Sequence, residues 1–123
     1  MTLMGAINHI DAIKPNAYSQ TEKIKWISTL DGMIKKEIID THEGGEKIEF
    51  NGYQAGDLGK DLLVPSPYDD VYIKWLEVQI DYANGEYGKY NNSIMMFTSA
   101  YSTYEKYYNR THMPKQVASF KNW

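Results

Sequence analysis

The sequence predicts an all-α fold: a small bundle of about four helices, with one irregular or short β-hairpin excursion at 44–64 and an extended C-terminal tail at 115–123. Three observations lead there. Apolar residues recur at i, i+3, i+4 spacing over long stretches. Helix-start signals stand directly before those stretches. Period-two alternation is confined to one short run. A length of 123 residues suits one domain with a single core, placed at 1–114.

Thr2 can cap a first helix, in which Leu3, Ala6, Ile7, Ile10 and Ile13 recur at helical spacing. Pro15 ends it, because the residue before a proline is pushed out of the α region. After the turn Asn16-Ala17-Tyr18, the Ser19/Glu22 capping box opens a second helix. Its stripe is Ile24, Ile27, Leu30, Ile34 and Ile38, widened by Trp26, Met33 and Ile39. Lys23, Lys25, Asp31, Lys35 and Lys36 are assigned to the opposite, polar face, and Gly44-Gly45 is expected to terminate the helix.

The excursion is different in kind. Lys47-Ile48-Glu49-Phe50 alternates as a short strand would, and Asn51-Gly52 is a turn signal just before Tyr53. Glycines and aspartates then keep the chain irregular as far as Leu62-Leu63-Val64. A segment of this length without helix is uncommon in a compact domain and is usually functional or mobile. Its strand would need something to pair with, such as a neighbouring subunit.

Pro67 to Met113 carries the densest helical signal. Ser66 caps, Pro67 takes the first helical position, and Asp69-Asp70 put negative charge in the first turn. Val71, Trp75, Val78 and Tyr82 run beside Ile73, Leu76, Ile80 and Ala83, an arc wide enough for burial on more than one side. Gly85 and Gly88 weaken the segment, and a break is expected near Asn91, with Asn92-Ser93 capping a further helix. That helix would carry Met96, Phe97, Ala100, Tyr101, Tyr104 and Tyr108 up to Pro114. In the tail, Val117, Phe120 and Trp123 are apolar anchors on a polar background, suited to folding back or to docking on a partner.

Eleven tyrosines supply most of the aromatic content. A tyrosine buries a large ring yet needs a partner for its hydroxyl, so both a wet aromatic core and an assembly interface fit. Cysteine is absent, which excludes disulfides, thiolate nucleophiles and zinc-thiolate sites. The longest apolar runs are a few residues, too short for a transmembrane helix, and the start lacks the pattern of a secretory signal. The net charge of −3 is uneven: from Lys106 onward only Lys106, Arg110, Lys115 and Lys121 are charged, a patch too modest for a duplex-binding surface.

No constellation for catalysis, cofactor or metal is found. His9, His42 and His112 lie in different elements without companion ligands, and read as surface or capping histidines. Gly56-Asp57-Leu58-Gly59-Lys60 lacks the spacing and the Ser/Thr of a phosphate loop. Asp70 and Asp81 are roughly 16 Å apart along a helix, too far to share a proton, and are taken as end charge and solvated face. The tyrosines are not interleaved with Arg or Lys as in a nucleic-acid stacking platform. The protein is not expected to be an enzyme.

The run Leu62-Leu63-Val64-Pro65, Pro67-Tyr68-Asp69-Asp70-Val71-Tyr72, Trp75-Leu76-Glu77, Ile80 to Glu86 and Tyr90-Asn91-Asn92 resembles small proteins of tailed bacteriophages and prophages of Gram-positive hosts. Lys14-Pro15-Asn16 and Tyr107 to His112 continue the likeness, which spans most of 1–114. In size and helical layout such proteins are similar to the head–tail connector, or neck adaptor, family. The resemblance implies a structural virion protein: a ring of copies, commonly twelve, between the portal and the stopper or tail-completion protein. Genome DNA would pass through the ring. It also implies location in the virion neck, and in the host cytoplasm during assembly. By position and physical character alone, Val117, Phe120 and Trp123 would grip the portal, and Ile48, Phe50 and Tyr53 would lie in the loop offered to the next component. The acidic residues of the excursion are candidates for the channel lining. Another neck or tail-completion component is the rival within that class; a helical regulatory or accessory domain is the rival outside it.

Overall fold

The computed structural model describes residues 1–115, so the anchors expected at Val117, Phe120 and Trp123 lie outside the described residues. Four helices form one core: α1 (Leu3–Ile13), α2 (Gln20–Glu37), α3 (Asp70–Ala83) and α4 (Tyr87–Thr111). α3 is the central element and packs against the other three.

α1 begins as its capping residue requires, with Thr2 Oγ1 accepting from the Gly5 amide at 3.0 Å. Leu3, Ala6, Ile7 and Ile10 are buried; Ile13, expected in the same stripe, is exposed. Ser19 caps α2 through the Glu22 amide at 3.1 Å. The helix ends at Glu37, earlier than the glycine pair, and a 3₁₀ turn over Ile39–Thr41 carries the chain on to Gly44. Gly45 is required by close approach: a Cβ there would stand 2.4 Å from the Ile39 carbonyl oxygen.

Residues 44–64 form no strand and no hairpin among the described residues; 3₁₀ turns over Gly45–Lys47 and Ala55–Asp57 punctuate an irregular path. The alternation at 47–50 finds no partner strand. Instead the far arm closes over the start of α1. The Leu3 and Met4 amides, unpaired donors of a helix's first turn, donate to the Lys60 and Leu58 carbonyls at 3.0 and 2.9 Å. Leu62 and Val64 then enter the core.

α3 starts three residues later than its capping signal. The Ser66–Pro67 peptide is cis and the Tyr68 amide donates to the Pro65 carbonyl, so this stretch is a turn before the helix. Its burial is as wide as the apolar arc implies, taking in Val71, Tyr72, Ile73, Leu76, Val78, Ile80 and Asp81, whereas Tyr82 is exposed.

The break between α3 and α4 lies at Gly85, not near Asn91. Gly85 adopts φ +72°, the Gly85 amide donates to the Tyr82 carbonyl and the Glu86 amide to Asp81. This is a Schellman stop, which favours glycine because a Cβ is disfavoured at positive φ. Residues 90–93 are helical, and Ser93 is buried inside α4 rather than capping it. α3 and α4 form an antiparallel hairpin, aligned by the ring pairs Trp75–Phe97 (4.9 Å) and Tyr68–Tyr107 (4.5 Å). No helix among the described residues is long and apolar enough to cross a membrane.

Candidate functional site

The polar centre of the molecule is Asp31, fully buried on α2. It lies four residues after Ile27 and three before Ile34, within the apolar stripe, so its assignment to the polar face is corrected. No cation among the described residues pairs with it; its compensation is hydrogen bonding. The Tyr53 hydroxyl donates to Oδ2, the Tyr72 hydroxyl to Oδ1 at 2.6 Å, and the Leu63 amide to Oδ2 at 3.2 Å. Tyr72 in turn accepts from the Val64 amide at 2.8 Å. One carboxylate thereby ties α2, α3 and both arms of the excursion together. Burial raises the Asp31 pKa above its ordinary value, against the three hydrogen bonds that pull it down. The Tyr53 and Tyr72 hydroxyls are pushed up by burial and then by the adjacent carboxylate, so neither ionises at ordinary pH.

Three further polar side chains expected at the surface are buried. Lys23, at 3% exposure, places its ammonium 2.6 Å from Asp11 and 2.9 Å from the Tyr18 carbonyl. Asp81 is no solvated residue either: Lys14 lies 2.7 Å from its Oδ1 and the Ser93 hydroxyl donates to Oδ2. His42 is enclosed at the far ends of α2 and α4, its ring nitrogens meeting the Ile38 carbonyl at 2.6 Å and the Asn109 side-chain amide at 2.9 Å. These groups link elements to one another. No group of three or more His, Asp or Glu side chains that could hold a metal occurs among the described residues.

Several polar contacts join elements remote in sequence. Lys14 pairs with Asp81. Tyr18 donates its hydroxyl to Asn84 at 2.6 Å. Tyr72 holds Asp31, and Asn109 meets His42.

Of the residues expected to face partners, Ile48 is exposed at 37% and Phe50 is half-buried, packed edge-on to Tyr53 at 4.9 Å. Tyr53 is committed inward, to Asp31 through its hydroxyl and to the Ser28 hydroxyl through its amide at 2.9 Å. The excursion thus satisfies much of its polar backbone within its own domain.

The free apolar surface lies elsewhere, on α4. Of its 25 residues only Ser93, Phe97, Tyr104 and Tyr108 are buried. Met95 (71% exposed) and Met96 (49%) stand on its outer side, and Tyr82 and Tyr87 (61% and 63%) flank the α3–α4 turn. The tyrosines therefore divide: Tyr72, Tyr104 and Tyr108 belong to the core, while Tyr82 and Tyr87 face outward. Between α2 and α4 runs a groove of about 230 Å³ floored by Met33, Phe97 and Tyr101 and edged by Glu37 and Glu105. The Tyr101 hydroxyl donates to Glu37 at 3.1 Å. Met95 and Met96 give the outer side of α4 a polarizable, adaptable surface. The hydropathy pattern held that signal, since Ile94, Met95 and Met96 are three consecutive apolar residues and a single helix face cannot bury all of them.

No known protein family, no curated protein and no solved structure matches this chain.

Proposed function

We propose that this protein is a non-enzymatic neck adaptor of a tailed bacteriophage, assembling as a ring of copies between the portal and the stopper or tail-completion protein. The observation that carries the reading is α4: a helix about 37 Å long by its rise, buried along one side only, with Met95 and Met96 exposed on its outer side and Tyr82 and Tyr87 exposed at its start. Exposed large apolar side chains on an outer helix face suit a surface that another protein covers. The sequence resemblance supplies the virion assignment, and the absorption of the buried ionisable groups into structural pairs agrees with a scaffold role. In a closed ring one face of each copy meets a different face of the next, and an adaptable methionine surface suits a contact repeated around an axis.

The test is to mix the purified full chain with the portal protein of the same phage and examine the product by native mass spectrometry and negative-stain microscopy. A ring on the portal is the expected result. A monomer that ignores the portal at micromolar concentration overturns the reading. The variant Met95→Asp should lose the ring and keep the unfolding midpoint, because this side chain is already mostly in water.

A further inference from the structure

We infer that residues 116–123 of this chain dock in the groove between its own α2 and α4, with the apolar side chains of the segment on the Met33–Phe97–Tyr101 floor and Lys121 beside Glu37 and Glu105. The inference stands independently of the adaptor reading.

Direction is the first argument. After α4 the chain crosses to the end of α2 and pairs antiparallel with residues 41–43. The Glu43 amide donates to the Met113 carbonyl at 2.8 Å, and Pro114 lies opposite His42. The Lys115 amide then donates to the Thr41 carbonyl at 3.0 Å. Over residues 113–115 each step forward along the chain is thus a step backward along residues 41–43, so the described chain ends beside the turn that follows α2.

Reach is the second. Met33 lies eight residues before Thr41, about 12 Å along a helix. Eight residues of extended chain span up to about 26 Å, so the segment covers the groove without strain.

Complementarity is the third. The groove offers an apolar floor with two carboxylates at its edge, and no described cation lies within ion-pair distance of Glu37 or Glu105. The segment from Lys115 to Trp123 contains Val117, Phe120, Trp123, Lys115 and Lys121 and no acidic side chain. An aromatic anchor in a concave apolar site with charges of opposite sign at its rim is the usual form of peptide capture. Tethering favours the chain's own groove over that of a second copy, because the local concentration of a segment on so short a leash is in the millimolar range.

The absence of cysteine makes the test direct. Asn122→Cys introduces a single thiol for a nitroxide label in the otherwise unaltered full chain, and methionine methyl NMR reads its proximity. The expected result is loss of most of the Met33 methyl intensity, with Met4 on α1 unaffected. A Met33 signal as strong as that of Met4, or equal loss at both, overturns the inference. A mixture of spin-labelled, isotopically silent chain with unlabelled, methyl-visible chain reports exchange between copies. Loss of Met33 in that mixture assigns the groove to a second copy and overturns docking in cis. The double variant Glu37→Lys, Glu105→Lys, at positions outside the core, should restore the Met33 signal; undiminished loss overturns the charge pairing.

Discussion

Removing the Asp31 carboxylate takes the acceptor from two tyrosine hydroxyls and the Leu63 amide, of which the Tyr72 hydroxyl is fully buried. At about 1–3 kcal/mol for each stranded group, Asp31→Ala should lower stability by about 3 kcal/mol or more, read as a shift of the urea midpoint. Asp31→Asn tests the charge separately. Burial raises the Asp31 pKa above 3.8, so the folded chain holds this proton more tightly than the unfolded chain does. The contribution of Asp31 is therefore fully present below pH 3.8 and is lost as pH rises through the raised folded value. The stability of wild type minus that of Asp31→Asn should fall across that window and then level off; a difference that climbs with pH would contradict the assignment. The sequence reading set Asp31 on the polar face of α2, although its spacing from Ile27 and Ile34 puts it in the buried stripe. What it bonds to was not legible, because Tyr53, Leu63 and Tyr72 are 22, 32 and 41 residues away.

Helix boundaries show which local signals dominate. Thr2 and Ser19 cap where they stand, since each needs only an amide three residues ahead. Ser66 does not, because the turn through Pro65–Tyr68 delays the start of α3 to Asp70. At the other end two signals competed, Gly85 and Asn91-Asn92-Ser93, and the glycine prevailed. A Schellman stop satisfies carbonyls at the end of α3, whereas a cap at Ser93 would have exposed Asp81 without its donor. Gly85→Ala should cost about 1 kcal/mol through its positive φ. Gly88→Ala, in the first turn of α4 with open space where its Cβ would project, should instead gain about 0.5 kcal/mol by restricting the unfolded chain. Thermal unfolding of the pair checks the opposite signs; equal effects would place the break elsewhere.

Across the whole molecule protection should follow burial. Amide hydrogen exchange is expected to be slowest in the middle of α3, which is enclosed by the other three helices, and fast over residues 51–60 and the first turn of α4, where most side chains are exposed. In Asp31→Ala the loss of protection should concentrate at residues 62–64, where the Leu63 amide bonds Asp31 itself and the Val64 amide bonds the Tyr72 hydroxyl that Asp31 holds. A uniform loss would mean that the excursion is held by its apolar contacts instead.

Periodicity and capping were sufficient to establish the helical class, the four helices and most of the core, because a helix is specified by interactions that span three or four residues. The irregular path of 44–64, the burial of Lys23, Asp31, His42 and Asp81, and the division of the tyrosines between core and surface emerged only in the folded chain. Each depends on a partner remote in sequence, and a polar group enters the interior only where such a partner supplies the hydrogen bond or charge that water would otherwise provide. The same holds for the groove between α2 and α4. Neither helix contains it, and it exists because Glu37 and Tyr101, 64 residues apart, are held side by side.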